Sequence, residues 1–256
     1  MTSVRAVPSI SVPVMVKEID HYYEKLWLDF DFTISSYCNA ACPSCKRYED
    51  FLITEYNPNQ PLHPGLKQLH MDFDIYRSII ERDIELFKNK YVTFEGELGD
   101  ALTNPNILKF IDYSSSVFKR LRIVTNGGLR TSKFFNDLGN TYNNLEIMFS
   151  IDGLDNEINQ KYRRRVNTPK AYENMIAYKQ SKYGAGTTFW QYLIFQHNWF
   201  EIPEILNIAK KYKIVIDMKI NNRPKFRIEE KLIPNVMETY EQNKFECSSL
   251  QQIKSR

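Results

Sequence analysis

Cysteine is scarce in this chain: there are 4 in 256 residues, and three of them fall between positions 38 and 45. So few thiols fit a reducing compartment, and the cytoplasm is the expected location. Long apolar runs are lacking as well. No segment approaches the ~18 residues of a membrane-spanning helix, so no membrane span is expected. The apolar stretch Ala6–Val14 is broken by Pro8 and Pro13 and has no basic-then-small cleavage pattern, so it does not read as a signal peptide. An excess of one charge is also lacking: the net +3 is too small to point to nucleic acid or a lipid surface. The four histidines, His21, His63, His70 and His197, show no paired metal spacing. No Ser-His-Asp order, phosphate-binding glycine loop, basic-aromatic patch or internal repeat is present. What remains is ordinary. With 43% apolar and 25% charged residues, the chain reads as a soluble globular protein with one sizeable core, with or without a small appendage.

The exception is Cys38-Asn39-Ala40-Ala41-Cys42-Pro43-Ser44-Cys45, which offers three thiols from one loop. Cys247 lies far along the chain and supplies no obvious fourth ligand. A structural zinc site wants four ligands in a closed tetrahedron, usually as two separated pairs. A disulfide consumes thiols in pairs, at a narrow geometry. A [4Fe–4S] cube takes soft thiolates, one to each iron, so three thiolates leave one iron open to a substrate or cofactor. Four residues of chain span at most about 14 Å, ample to reach adjacent corners of one cube.

Apolar, β-branched or aromatic runs predict strands over Leu28–Ser35, Tyr91–Glu97, Leu121–Thr125, Leu145–Asp152, Thr187–Phe195 and Ile214–Ile220. Helical patterns lie between them, over Phe73–Lys88, Pro105–Phe118, Ser132–Leu138, Pro169–Tyr183 and Pro203–Lys211. Strands alternating with helices predict parallel βαβ units with right-handed crossovers. Several strands show a period of two. Leu28, Phe30, Phe32 and Ile34 share one face, and Asp29, Asp31, Thr33 and Ser35 the other. Thr93, Glu95 and Glu97 share a face, as do Ser150 and Asp152, and Asp217 and Lys219. A wide partial barrel with a polar lumen suits this alternation; an antiparallel sheet with one wet face is the competing arrangement. The long connection from Lys46 to Asp72 is either a functional cover or a plain surface insertion.

The spacing of Cys38, Cys42 and Cys45 matches CxxxCxxC, and in this the chain resembles the radical S-adenosylmethionine (radical SAM) enzymes. The resemblance implies an α/β fold, a partial (β/α)6 TIM-like barrel of parallel strands, with the cluster loop after the first strand. It implies that the three cysteines hold a [4Fe–4S] cluster whose open iron chelates the amino and carboxylate groups of S-adenosylmethionine. One electron then breaks a carbon–sulfur bond, and the resulting 5′-deoxyadenosyl radical takes hydrogen from a substrate.

Further segments carry the resemblance along the chain. Phe94-Glu95-Gly96-Glu97-Leu98-Gly99-Asp100-Ala101-Leu102 resembles the family's glycine motif after the second strand, which places Gly96 and Glu97 near the methionine end, with Asp100 as a further candidate. Glu95 stands where the first glycine often lies, and Ala101 where a subgroup has proline. Thr125-Asn126-Gly127-Gly128 resembles the family's TNG turn, in which Asn126 either faces the lumen or serves the turn itself. Phe149-Ser150-Ile151-Asp152-Gly153 resembles the SxDG segment of the branch that contains peptide-modifying enzymes. There the serine lies beside the cofactor and an arginine in a following Tyr-Arg contacts its carboxylate, which points to Ser150 and Arg163. An arginine fork suits a carboxylate; Arg164 and Arg165 leave the register open. Trp190-Gln191-Tyr192-Leu193 resembles a segment near ribose and adenine, with Gln191 as the polar candidate and the two aromatics as core. Ser44 stands where many members carry an aromatic residue near adenine, so that contact must come from elsewhere.

The expected organisation is an N-terminal extension over residues 1–26, a barrel core over 27–221 and a C-terminal tail over 222–256. Relatives in this branch often add a cysteine-rich extension for auxiliary clusters; Cys247 matches at most the start of one, and a lone thiol is the simpler reading. The resemblance also implies an electron donor such as flavodoxin or ferredoxin, and a substrate that is a peptide, a protein or a small molecule. The competing class is a non-catalytic protein, in which a degenerate barrel binds iron–sulfur or zinc for structure.

Overall fold

The computed structural model describes residues 30–48, 60–221 and 227–252. The expected extension over 1–26, the beginning of the first strand at Leu28 and Asp29, and residues 49–59 of the connection after Cys45 lie outside these. The described residues form one sheet of strands β1 (Phe30–Phe32), β2 (Tyr91–Phe94), β3 (Arg120–Thr125), β4 (Leu145–Ser150), β5 (Thr188–Ile194), β6 (Val215–Ile220) and β7 (Ser248–Gln252). Neighbours follow chain order from β1 to β7, and every pairing is parallel. Parallel neighbours need a crossover of a dozen residues or more, and helices supply it. These are α1 (Phe73–Arg82), α2 (Ile84–Phe87), α3 (Ile107–Val117), α4 (Ser132–Thr141), α5 (Asn156–Asn159), α6 (Thr168–Lys179), α7 (Ile202–Tyr212) and α8 (Ile233–Asn243). No helix among the described residues is long and apolar enough to cross a membrane.

Period-two patterning divides the sheet as expected. Phe94 meets Tyr76 of α1 and Phe110 of α3, Phe149 meets Phe135 of α4 and Tyr178 of α6, and Trp190 meets Tyr172 of α6. These aromatics, apart from the half-buried Tyr172, are buried with Leu121, Ile123, Ile147 and Ile216 between sheet and helices. Truncating one such aromatic to alanine costs about 3–5 kcal/mol. The alternate positions form a polar inner face. Thr93 sits beside Arg122, Ser150 beside Gln191, and Gln191 beside Asp217 in the strand register. At its floor Glu146, 1% exposed, accepts from Arg122 at 2.7 and 3.1 Å and from Arg120 at 2.8 Å. The inner face thus carries buried ion pairs where a closed barrel would carry apolar side chains.

Two differences from the sequence expectation have physical causes. The single helix expected over Phe73–Lys88 is two, because the chain leaves helical geometry at Asp83 (φ −131°, ψ 47°); aspartate is a poor interior helix residue. The sheet also continues past Ile220. Helix α8 is followed by β7, where Met218 pairs with Leu250 and Asp217 with Ser249. Tyr240 of α8 reaches Ser248 at 3.2 Å. The expected boundary at residue 221 therefore precedes a helix and strand joined to the same sheet. Ser248-Ser249-Leu250-Gln251-Gln252 has little β-branched or aromatic character, so its pairing rests on backbone hydrogen bonds that composition does not advertise.

Candidate active site

All of the chemistry-bearing loops leave the carboxyl ends of the strands, the end where parallel α/β folds place their sites. After β1 the chain runs through Ser35, Ser36 and Tyr37 into the cysteine loop. This approach is clamped by the loop after β2. Asp100 N donates to Tyr37 O at 2.7 Å, and Gly99 packs so closely that an added Cβ would lie 2.1 Å from Ser35 O and 2.8 Å from Tyr37 O. Only glycine fits there. Gly96, the glycine favoured from the sequence, has looser surroundings: a Cβ would meet Gly99 O at 3.4 Å.

Within the loop, Cys45 N donates to Cys42 O (3.2 Å), and Ala41 N donates to Arg164 O (3.0 Å) beyond α5. Asn126 of the TNG turn reaches across: its Nδ2 lies 2.8 Å from Asn39 Oδ1, 2.9 Å from Asp100 Oδ2 and 3.7 Å from Cys38 Sγ. Asp100, 2% exposed, also accepts from Thr125 Oγ1 (2.8 Å), Asn126 N (3.1 Å) and Leu102 N (3.0 Å). Burial raises its pKa, against the donors Asn126 N, Thr125 Oγ1 and Leu102 N and the charge of Arg130. Burial, with Asp100 and Cys42 nearby, pushes the Cys38 thiol up to about 12. A metal reverses such a bias by binding the thiolate.

Arg163 is set from the other side. Its Nε donates to Asp152 Oδ2 at 2.6 Å, while Asp152 Oδ1 accepts from Leu193 N at 2.8 Å. Burial opposes the guanidinium charge, and Asp152, then Cys42 and Cys38, more than restore it, so its pKa is raised. Among the described residues the two terminal nitrogens of Arg163 have no hydrogen-bond partner. Ser150, 3% exposed, faces Gln191 at 3.4 Å.

These parts meet in one cavity of about 340 Å³, within the roughly 300–1,000 Å³ of ligand pockets. Cys38, Cys42 and Cys45 line it from one side, and Gly96, Glu97, Ser150, Arg163 and Gln191 line the rest. A second chamber of about 200 Å³ lies in the lumen and shares Glu95, Val124, Met148 and Gln191 with it.

No family model matches the chain. Over 134 residues it is 23% identical to the antilisterial bacteriocin subtilosin biosynthesis protein AlbA of Bacillus subtilis (strain 168), covering 52% of this chain and 26% of AlbA. Streptococcus suis SuiB bound to S-adenosylmethionine superposes with a TM-score of 0.61 at 13% identity, covering 93% of this chain and 54% of SuiB. SuiB bound to its precursor peptide SuiA gives 0.60 at 12% identity, over 98% and 57%. The structure of anSMEcpe with bound AdoMet gives 0.56 at 14%, over 84% and 56%. The chain therefore shares the fold of these structures. It spans about half the length of these structures and about a quarter of AlbA.

In this fold the eight residues singled out from the sequence line one cavity, but not all in the expected state. Glu97 is half exposed and forms an ion pair with Lys46, the residue after Cys45. Sequence reasoning left the role of Asn126 open and missed Arg47 altogether. Arg47 is 4% exposed and donates to Ala40 O at 3.2 Å and Cys38 O at 3.5 Å. Trp190 and Tyr192 are core, as expected: Trp190 Nε1 donates to Ile151 O at 2.9 Å, and Tyr192 donates to Asn198 O at 3.0 Å. Among the described residues no three His, Cys, Asp or Glu side chains converge on a single metal ion. A [4Fe–4S] cube takes soft thiolates, one to each iron. Three soft donors along one cavity wall fit the cube.

Proposed function

We propose that this chain is the core of a radical SAM enzyme, with a [4Fe–4S] cluster on Cys38, Cys42 and Cys45 and S-adenosylmethionine in the adjoining cavity. The observation that carries this reading is that three thiols and five predicted cofactor-contacting residues, drawn from five loops or strands, line one cavity. When bound, the reduced cluster and S-adenosylmethionine together supply a 5′-deoxyadenosyl radical. The chain's own residues orient and enclose. Arg163, held by Asp152 through one nitrogen, keeps its terminal fork for a carboxylate. Glu97 exchanges Lys46 for the cofactor's ammonium group, beside the open backbone of Gly96. Ser150 and Gln191 present polar groups from adjacent strands toward the ribose and adenine end.

The polar lumen then receives the substrate. A peptide is the favoured class, because SuiB was solved with a precursor peptide and AlbA is named for bacteriocin biosynthesis; a small polar molecule is the other. Reduction requires an outside donor, for which a flavodoxin or ferredoxin in the cytoplasm is suitable. Anaerobic reconstitution tests the whole reading. The protein should bind about four irons and, once reduced, convert S-adenosylmethionine to 5′-deoxyadenosine. A colourless protein holding one zinc would place it in the non-catalytic class instead.

A further inference from the structure

Three cations line the cavity: Lys46, Arg47 and Arg163. Two of them carry a carboxylate, Glu97 on Lys46 and Asp152 on Arg163. Arg47 has none among the described residues, although it is the most enclosed guanidinium of the site at 4% exposure. Its terminal nitrogens are spent on the carbonyls of Cys38 and Ala40 and on the Tyr48 hydroxyl at 3.4 Å. Its Nε–H is buried without any acceptor. A buried cation without a counter-ion is costly, and such groups are normally paired. Among the described residues, the groups beside its fork that become anionic on binding a metal are the thiols of the cysteine loop.

We propose that Arg47 is the fixed counter-charge of the cluster and sets its reduction potential. Three thiolates outweigh the formal charge of a [4Fe–4S] core, so the assembly is anionic and becomes more so on gaining an electron. A guanidinium fixed in a low-dielectric wall favours the reduced form most, because attraction grows with the added charge. Arg47 is therefore a positioning and tuning residue, and it touches no reacting atom. The inference rests on the proposed cluster and names how that cluster is tuned.

The test is a potentiometric titration followed by low-temperature EPR on anaerobically reconstituted full chain, with Arg47→Gln and Arg47→Lys. Arg47→Gln should retain its iron but show at least a tenfold lower ratio of reduced to oxidised cluster at a fixed potential, a downward shift of about 59 mV or more. Arg47→Lys, which keeps the charge, should stay near wild type. An unshifted Arg47→Gln, or an equal shift in both variants, overturns the proposal. Should Arg47→Gln lose its iron, Arg47→Lys decides: iron retained at the wild-type potential supports a charge role, and iron lost again shows only a brace for the loop. A wild-type protein that takes up no cluster would sink the proposed function itself, which is a different result.

Discussion

Arg163 Nε and Asp152 Oδ2 stand 2.6 Å apart, joining the Ser-Ile-Asp-Gly segment to the Tyr-Arg pair that follows it. Asp152 is fully buried, so the pair fixes which arginine of the run Arg163-Arg164-Arg165 faces the cavity. Removing one partner of a buried pair costs about 3–5 kcal/mol. Asp152→Asn should therefore lower the thermal midpoint and weaken cofactor binding, both measurable on the same preparation.

Arg163→Ala should lower the thermal midpoint for the same reason, since it leaves Asp152 unpaired, and should also act on the cofactor. Losing a charged hydrogen-bonding partner costs about 1.5–3 kcal/mol, or roughly ten- to a hundredfold in S-adenosylmethionine affinity, with iron content unchanged. Calorimetric titration checks it. Unchanged affinity would mean that a different group receives the carboxylate.

The two glycines of the loop after β2 should separate. Gly99→Ala forces a Cβ to 2.1 Å from Ser35 O, so the cysteine loop must shift, and iron uptake should fall sharply. Gly96→Ala meets ordinary contacts and should still bind iron. Iron and sulfide analysis of both variants distinguishes them.

Glu201 makes stability depend on pH. It is enclosed near Tyr192 Oη at 3.3 Å and Leu154 N at 3.3 Å, and burial pushes its pKa up from 4.5 to about 7. Folding thus favours its protonated form. That contribution is complete below pH 4.5 and is lost as pH rises through about 7. Glu201→Gln should gain thermal stability relative to wild type above that pH and little below it. Melting curves at the two ends decide.

The sheet and the cysteine loop were legible in the sequence because both are local patterns. Period-two alternation in β1 and β6 separated core from lumen, and three cysteines within eight positions marked one wall of the cavity. Asn126 and Arg47 were not legible for the opposite reason. Asn126 lies 88 residues from Cys38, and the unusual state of Arg47 is the absence of a carboxylate beside it among the described residues, which no spacing rule records. Glycine identity was half legible: the motif marked Gly96, while the close approach belongs to Gly99. Strand β7 stayed hidden because its residues carry little strand preference and take their order from β6.

Low-temperature EPR of the reduced, reconstituted protein with and without S-adenosylmethionine bears most closely on the three-thiolate cluster. An iron left open by Cys38, Cys42 and Cys45 should give a [4Fe–4S] signal that changes on adding the cofactor, and replacing any of the three by alanine should abolish it. A signal indifferent to S-adenosylmethionine, or one that survives the loss of Cys42, would contradict it.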